Sequence, residues 1–190
     1  MGLYTRYGKR IFDLTLSVIG LIFFILPMAL ITAKIREELG DPILFRQPRV
    51  GKKGILFTVL KFRTMADDGR VTSRFCRGLR ACAMDELPQL VNIFRGEMSF
   101  VGPRPLIPEE LEKLGEFPEG ALRMSAQPGL TGVAQLYGDK NPSLQQRLIW
   151  DLSYIRNCSL GLDLWILLRS VGITLKAAWE KSGAKIKTKE

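Results

Sequence analysis

Two adjacent carboxylates and a proline-flanked arginine are the residues of this chain best suited to chemistry. The carboxylates belong to the motif Asp85–Leu90, and Arg104 belongs to Ser99–Pro105, which follows within twenty residues. An aspartate–glutamate pair can supply a nucleophile, a general base or ligands for Mg²⁺, and arginine binds phosphate bidentately. Because a long uncharged apolar segment lies near the N-terminus, these residues together indicate phosphate chemistry at a lipid surface.

The composition excludes several other kinds of catalytic site. The sequence contains no histidine, which removes Ser–His and Cys–His nucleophiles. Its three cysteines, Cys76, Cys82 and Cys158, are not spaced like zinc ligands, so we expect no zinc site and reduced thiols. Acid–base or covalent chemistry must therefore depend on carboxylates, lysines or tyrosines.

The net charge of +9 predicts an anionic partner, which could be nucleic acid, anionic lipid or a phosphorylated substrate. Charge alone does not choose among these. The sequence lacks the basic and aromatic repeat typical of RNA-binding modules, so no nucleic-acid partner is expected. A hydrophobic content of 46% is sufficient for a folded core and a membrane element.

The apolar segment Leu14–Ala33 has twenty residues without a charge, enough for a helix of about 30 Å that could cross a membrane. Pro27 interrupts it and should kink or break the helix. Basic residues lie on both sides of the segment: Arg6, Lys9, Arg10, Lys34, Arg36, Arg46 and Arg49. The positive-inside rule favours a helix that enters the membrane and returns at Pro27. A kinked spanning helix is the alternative, and the physics alone leaves both open.

The elements that must position the carboxylates begin with a hairpin. Residues Pro42–Phe62 predict strands over Ile43–Phe45 and Ile55–Leu60, joined by a turn at Gly51–Gly54. Lys61 then stands at the end of the second strand, next to an aromatic residue.

The carboxylate pair itself lies in a helical pattern over Val71–Phe94, where Arg80 shares one side with two other arginines, Arg74 and Arg77. Pro88 should interrupt this pattern. We expect a new helix with Asp85 as its N-cap and Pro88 in its first turn. The helix dipole would then lower the pKa of Asp85 and attract anions.

The C-terminal half alternates predicted helices with turn-rich loops. The helices are Glu109–Leu114, Arg147–Ile155 and Leu160–Trp179, and the loops are Gln127–Gly132 and Gly138–Pro142. The last helix is either an interfacial membrane helix or a buried core helix. Arg147 and Asp151 are spaced to form an i,i+4 ion pair.

The order and spacing of these motifs resemble the bacterial sugar transferase family, the monotopic phosphoglycosyl transferases that begin glycoconjugate assembly. The matching motifs extend along most of the chain: Lys9–Asp13, Phe45–Gly51, Lys61–Met65, Asp85–Leu90, Gly96–Ser99, Val101–Pro105 and Pro128–Gly132. Pro27 also lies where the membrane helix of the family breaks.

The resemblance implies an α+β fold: a mostly helical membrane-associated domain with a reentrant helix-break-helix, a small β-hairpin and interfacial amphipathic helices. Residues 1–36 would form the reentrant helix, with its break near Pro27 and both ends on the cytoplasmic face of the bacterial inner membrane. Residues 37–180 would be the catalytic domain on that face. The lysine-rich composition of residues 181–190, apart from the resemblance, predicts a disordered basic tail.

The resemblance also implies that a UDP-sugar donates its phosphosugar to a polyprenol phosphate, such as undecaprenyl phosphate, with release of UMP. Mg²⁺ is the implied cofactor. Asp85 would be the nucleophile that forms an aspartyl-phosphosugar intermediate, and Glu86 would hold Mg²⁺ with Asp85 or raise its basicity. An anionic phospholipid membrane is the other expected partner, and a homo-oligomer is left open.

Attack by a carboxylate on a diphosphate opposes like charges, which costs about 4 kcal/mol at ~4 Å and an effective dielectric constant of about 20. Lys61, Arg80 and Arg104 are the candidates to offset this repulsion by binding phosphate oxygens. The candidates for donor binding are Pro128, Gly129, Thr131, Gly132, Lys140, Asn141 and Arg147. The chain departs from the family in having Gly138–Asn141 in place of Gly-Arg-Asn, and its short segment before Asp85 makes it a minimal form.

A basic membrane-anchored module that binds anionic lipid or nucleic acid without catalysis is the alternative function. Such a module has no need of adjacent carboxylates in a cationic setting, because they repel its ligand, and it should not respond to Mg²⁺.

Overall fold

The computed structural model describes residues 2–66, 69–71, 73–137 and 142–183. Over these residues the chain has an α+β fold, as the sequence predicts, with eight α-helices and two small sheets. The helices are α1 (Lys9–Leu39), α2 (Arg74–Ala81), α3 (Gln89–Arg95), α4 (Pro108–Gly115), α5 (Gly120–Met124), α6 (Val133–Tyr137), α7 (Leu144–Asn157) and α8 (Leu160–Gly183). The strands are β1 (Leu44–Val50), β2 (Leu56–Phe62), β3 (Ser99–Val101) and β4 (Gly129–Thr131).

The longest element, α1, is apolar and exposed. Together with the π-helical turn Tyr4–Gly8 it makes a helix of 36 residues, the one candidate membrane span in the described part of the chain, and its most apolar window is 11% buried. Many of its exposed residues are large and hydrophobic, among them Ile11, Ile19, Ile22, Phe23, Ile25, Leu26 and Leu30. Helical backbone continues through Pro27 to Leu39. The break expected at Pro27 is therefore not a gap in the helix, and a return within the membrane stays a prediction.

Both halves of α1 pack against the same folded body. Leu16, in the N-terminal half, contacts the main core cluster that contains the fully buried Ile93. Ile35, in the C-terminal half, is fully buried in a cluster with Leu79 of α2. The two basic flanks of the apolar segment are thereby attached to one body.

Two buried aspartates fasten α1 to that body. Asp13 of α1 accepts hydrogen bonds from the Ser99 hydroxyl and the Phe100 N–H of β3, each at 3.0 Å. Asp163 of α8 accepts hydrogen bonds from three side chains that reach it from the N-terminal turn, α1 and α7: Tyr4, Lys9 and Tyr154, at 2.5, 2.7 and 2.7 Å. A buried carboxylate is stable only with such partners, so these contacts fix how α1 is seated.

The strands β1 and β2 form the predicted hairpin, and both are longer than predicted. Lys61 lies opposite Phe45 near the open end of the hairpin, whereas Arg49 lies opposite Phe57 near its turn. The turn at Lys52–Gly54 is a short 3₁₀ segment. Lys61 and Arg49 therefore stand towards opposite ends of one ladder.

The predicted helical region Val71–Phe94 is divided into α2, a 3₁₀ turn at Met84–Glu86, and α3. The chain leaves α2 through Ala83, whose backbone is left-handed with φ of 54°. Pro88 is the N-cap of α3, and no side chain caps that helix. The prediction that Asp85 is the N-cap is therefore wrong, because Asp85 lies in the 3₁₀ turn.

Part of the predicted loop Gln127–Gly132 is strand β4, which pairs in parallel with β3. The backbones meet closely here: a Cβ at Gly102 would lie 2.3 Å from the Gln127 carbonyl oxygen, and one at Gly129 would lie 2.1 Å from the Gly102 nitrogen. Only glycine permits this approach. Sequence reasoning missed the pairing because strands of three residues show no alternating pattern.

In the C-terminal half, α4, α7 and α8 confirm the three predicted helices. One side of α8 is buried, at Asp163 and Ile166, while Leu164 and Leu168 are exposed. The helix is thus part of the core, and its position at a membrane interface stays a prediction. It includes residues 181–183, which were expected in the disordered tail; residues 184–190 and residues 138–141 of the predicted Gly138–Pro142 loop lie outside the described residues.

The fully buried Asn92 connects α3 to the hairpin. Its Oδ1 accepts a hydrogen bond from the Leu60 N–H at 3.1 Å. Its Nδ2 donates to the Thr58 carbonyl at 2.7 Å and to a Glu97 carboxylate oxygen at 2.6 Å. This one side chain holds the helix that follows the carboxylates beside the strand that carries Lys61.

Asn92→Leu should lower the free energy of unfolding by about 2–4 kcal/mol, because the Leu60 N–H and the Thr58 carbonyl of β2 lose their bonds to a fully buried side chain. Denaturant unfolding of the detergent-solubilised protein measures this change. Phe94→Leu, at an exposed position of the same helix, is the matched control and should change stability by less than about 0.5 kcal/mol. Equal effects of the two substitutions would contradict the connecting role of Asn92.

Candidate active site

The carboxylate pair occupies the 3₁₀ turn between α2 and α3, next to the end of β2. Asp85 is buried, with 9% of its surface exposed. The neighbouring Glu86 accepts a salt bridge from Lys61 Nζ at 2.5 Å. Arg80, at the end of α2, donates to the Thr64 hydroxyl at 3.5 Å. We call Asp85, Glu86, Lys61 and Arg80 the carboxylate site.

The pKa of Asp85 is raised from its ordinary value, first by burial and then by the negative charge of Glu86. Lys61 and Arg80 act in the opposite direction and lower it, without reversing the net shift. The expectation that a helix dipole lowers this pKa is wrong. Asp85 does not cap α3, and the loss of hydration on burial outweighs the nearby cations.

A carboxylate in this environment is a better nucleophile than one in water. Its charged form is poorly hydrated, and a carboxylate with a raised pKa is more basic. Attack on phosphorus would disperse this charge, while Lys61 and Arg80 remain to neutralise phosphate oxygens. Asp85 therefore suits covalent catalysis better than permanent ion pairing.

The described residues contain no group of three or more histidine, cysteine, aspartate or glutamate side chains placed to hold a metal ion. The adjacent carboxylates of Asp85 and Glu86 do fit Mg²⁺, which usually takes one or two carboxylates and completes its shell with water and substrate phosphate. Any Mg²⁺ here would thus be held jointly with a phosphorylated substrate, and Glu86 would exchange part of its contact with Lys61.

A second basic group lies near the turn of the hairpin. Arg49 of β1 lies within electrostatic range of Arg104 after β3, Arg147 of α7 and Glu110 of α4; we call these four residues the arginine cluster. The pKa of Arg49 is lowered, first by burial and then by the positive charge of Arg104. Arg147 donates to Glu110, yet its buried Nε has no hydrogen-bond partner in the described part of the chain. Glu109 also acts on Arg49, but the Arg104 side chain makes no salt bridge within the described residues, so its positive charge is available for an anion.

The backbone of the Arg104 loop is held from three sides. Arg123 donates to the Arg104 carbonyl at 2.8 Å, and Arg49 donates to the Pro105 carbonyl at 3.4 Å. The Gly129 N–H donates to the Pro103 carbonyl at 2.8 Å. The Arg104 side chain is exposed and makes no hydrogen bond or salt bridge within the described residues. A rigid backbone therefore presents an uncommitted guanidinium.

The predicted ion pair between Arg147 and Asp151 is wrong as a direct contact. Arg147 binds Glu110 instead, and Asp151 accepts a hydrogen bond from Arg123 Nε at 2.9 Å. The Arg123–Asp151 pair is 4% and 2% exposed. This buried pair stabilises the Arg104 loop, because Arg123 also donates a hydrogen bond to the Arg104 carbonyl.

The predicted site residues fall into three places. The carboxylate site contains Asp85, Glu86, Lys61 and Arg80, and the arginine cluster contains Arg104 and Arg147. Pro128, Gly129, Thr131 and Gly132 lie in and around β4, beside the Arg104 loop, and the Thr131 hydroxyl shares a hydrogen bond with Ser170 at 2.6 Å. Lys140 and Asn141 lie outside the described residues.

Sequence reasoning missed Arg49 and Arg123 as contributors to the site. Arg49 lies within the family motif Phe45–Gly51, so the surrounding sequence could have indicated a role for it. Arg123 has no local signal, because its importance comes from contacts with Asp151 and Arg104, 28 and 19 residues away in sequence.

Residues 4–177 match the family described as bacterial sugar transferase. The chain belongs to this family. Among similar proteins, the UDP-glucose:undecaprenyl-phosphate glucose-1-phosphate transferase of Caulobacter vibrioides is 40% identical, over 86% of this chain and 68% of that protein. The exopolysaccharide production protein ExoY of Sinorhizobium fredii is 35% identical, over 86% and 84%. The undecaprenyl-phosphate glucose phosphotransferase of Komagataeibacter xylinus is 39% identical, over 86% and 35%. The predicted family is confirmed, and this bacterial sugar transferase is an enzyme.

Lys61→Met should move the acid limb of the pH–activity profile to higher pH. As the expected nucleophile, Asp85 would react only when deprotonated, and loss of Lys61 removes a charge that lowers its raised pKa. Activity should therefore fall more at pH 6 than at pH 8 when initial rates are measured across the range. Lys113→Met, at an exposed position of α4, should leave the limb in place. An unmoved limb in Lys61→Met would show that Lys61 does not act on Asp85.

Arg104→Lys should lower kcat/KM by roughly ten- to a hundredfold, the loss of one charge-assisted bond of about 1.5–3 kcal/mol, because lysine keeps the charge but not the bidentate geometry. The melting temperature should barely change, since the side chain is exposed and without a protein partner in the described residues. Arg123→Lys is the contrasting variant and should lower the melting temperature. A stability loss in Arg104→Lys with normal kinetics would make Arg104 structural.

Proposed function

We propose that this sugar transferase moves a sugar 1-phosphate from a UDP-sugar to a polyprenol phosphate, with undecaprenyl phosphate as the expected acceptor. The observation that carries the proposal is a buried Asp85, paired with Glu86 and faced by Lys61 and Arg80, in a chain of this family. The similar proteins named for undecaprenyl-phosphate sugar transfer support the choice of acceptor. The reaction would be an early membrane step of glycoconjugate synthesis.

In the first step, an Asp85 carboxylate oxygen attacks the donor phosphorus that carries the sugar. A bond forms between this oxygen and phosphorus, and the bond from phosphorus to the bridging oxygen breaks. The electron pair leaves with UMP, and Asp85 carries an acyl phosphate linked to the sugar. Lys61 and Arg80 offset the repulsion between the carboxylate and the phosphate oxygens.

In the second step, a phosphate oxygen of the polyprenol attacks the same phosphorus, and Asp85 leaves as a free carboxylate. The product is a polyprenyl diphosphate sugar. Because UMP departs first, one site can serve a soluble donor and a lipid acceptor in turn. Mg²⁺ held by Asp85, Glu86 and substrate phosphate would supply further neutralisation of phosphate charge.

The arginine cluster supplies the second point of attachment in this proposal. Arg49 and Lys61 are separated by four positions of the hairpin ladder, about 13 Å at the usual rise per residue. A ligand that places one phosphate at the carboxylate site would direct another charged part towards Arg104. We assign Arg104 to a phosphate of the donor or of the lipid acceptor, with Arg49 beside it.

We also propose that the enzyme is monotopic, on the cytoplasmic face of the inner membrane. Support comes from α1, whose exposed face is apolar while both of its halves pack on one body. A helix that crossed the bilayer would separate its two basic ends, yet Lys9 reaches Asp163 and the buried Ile35 contacts the α2 cluster.

The decisive assay for the reaction uses detergent-solubilised protein with Mg²⁺, undecaprenyl phosphate and a panel of UDP-sugars. One donor should give UMP and a lipid-linked product, and Asp85→Asn should reduce turnover below detection, since an amide is a far poorer nucleophile. Glu112→Gln, an exposed site on α4, is the control and should keep wild-type rates. If no UDP-sugar gives UMP, or if Asp85→Asn stays active, the assignment is wrong; the non-catalytic lipid-binding module then becomes the better account.

The topology is tested with a membrane-impermeant thiol reagent. Leu3→Cys and the native Cys82 are both exposed, and neither should be labelled in intact spheroplasts, whereas both should be labelled in inverted vesicles. Pro27→Ala should increase labelling of residue 3 from outside, because about 3 kcal/mol of helix-breaking cost is removed. If Leu3→Cys is labelled in spheroplasts while Pro27 is intact, α1 crosses the membrane and the monotopic placement is wrong.

A further inference from the structure

A basic cavity lies where the N-terminal part of α1 meets the far end of α3. Its volume is about 330 Å³. Five cations line it together with a single carboxylate: Arg6, Lys9, Arg10, Lys52, Arg95 and Asp13. They come from α1 and the turn before it, the hairpin turn, and the end of α3, so the fold gathers them from distant parts of the chain.

Most of this positive charge is not neutralised by the protein. Lys9 is paired with Asp163 at 2.7 Å, and Asp13 is bonded to Ser99 and Phe100 of β3. Arg10 donates to two neutral groups, the carbonyls at the end of α3. Arg6, Lys52 and Arg95 make no salt bridge within the described residues.

The cavity is separate from the carboxylate site. Asp85 precedes α3, whereas Arg95 is the last residue of that seven-residue helix. The rise of the helix alone separates its two ends by about 10 Å. An anion in this cavity would therefore not be the phosphate attacked by or from Asp85.

Exposed apolar residues neighbour the lining residues Arg6, Arg10 and Arg95 in sequence. Leu3, Tyr7 and Ile11 are 83%, 56% and 65% exposed, and Phe94 beside Arg95 is 45% exposed. A basic cavity next to an apolar surface matches the boundary between lipid headgroups and acyl chains, where arginine and lysine meet phosphate.

We propose that this cavity binds the phosphate of an anionic membrane phospholipid, with Arg6, Lys52 and Arg95 as its ligands. The lipid would act as a fixed partner that anchors the start of α1, not as a substrate. This inference rests on the membrane placement proposed above. It is independent of the transfer reaction, because UMP release reports the reaction whether or not the cavity binds lipid.

Native mass spectrometry of the full chain released from detergent micelles tests the site. The probes are phosphatidylglycerol, phosphatidylcholine of the same acyl chains, and glycerol 3-phosphate. Wild-type protein should retain one phosphatidylglycerol in preference to phosphatidylcholine. Arg6→Gln/Lys52→Gln/Arg95→Gln should weaken this binding about 100-fold, on the basis of about a fivefold contribution per cation near an anionic lipid.

The control Arg74→Gln/Arg77→Gln/Lys113→Gln removes the same charge from exposed positions elsewhere and should keep the preference. Lys52→Gln/Arg95→Gln leaves α1 unchanged and should show an intermediate loss even if the triple variant folds poorly. Equal phosphatidylglycerol binding by the cavity and control variants would overturn the proposal. Glycerol 3-phosphate binding as tightly as phosphatidylglycerol would overturn the assignment to a membrane lipid and leave a site for soluble phosphates.

Discussion

The position of Asp85 depends on a helix too short to be stable on its own. The seven residues of α3 form fewer turns than an isolated helix needs in water. Asn92 ties the helix to β2, and Arg10 of α1 donates to the carbonyls of Ile93 and Phe94 at its end, each at 2.7 Å. The Asp85 carboxylate is thereby positioned, through α3, by α1, the helix that also provides the exposed apolar surface.

The electrostatics follow from where each charge is buried. Asp85 is held near cations that do not bind it directly, because Lys61 pairs with Glu86 and Arg80 reaches Thr64. The Arg123–Asp151 pair, by contrast, is almost fully buried and fully engaged. The first arrangement keeps charges available for a substrate, and the second fixes a backbone. A buried ion pair with both partners satisfied indicates a structural role. A guanidinium such as that of Arg104, with no partner in the described residues, indicates a role in binding a ligand.

Local signals predicted the elements well. The hairpin, α4, α7 and α8 follow from strand and helix patterns, and Lys61 and Arg80 were expected near Asp85 and Glu86 because attack on a phosphate needs nearby cations. The role of Asp85 as an N-cap failed because the left-handed Ala83 opens a separate 3₁₀ turn. The prediction that the pKa of Asp85 is lowered was wrong because the burial of this side chain cannot be read from the motif.

Long-range contacts could not be predicted from the sequence. The parallel pairing of β3 with β4 places the Arg104 loop beside Gly129, and the bridge between Val50 and Leu106 brings Arg104 near Arg49. Nothing in the sequence around Arg123 indicates its contact with the Arg104 carbonyl. The second basic group was therefore visible as separate arginines but not as a cluster.

The central claim is that Asp85 carries the phosphosugar between donor and acceptor. Intact-mass measurement of the protein incubated with Mg²⁺ and the active UDP-sugar, without any lipid acceptor, tests it most directly. We predict an increase equal to one sugar phosphate, mapped by peptide sequencing to Asp85, which disappears when undecaprenyl phosphate is added. The absence of an adduct in an enzyme that turns over with both substrates, or an adduct on another residue, would contradict the account.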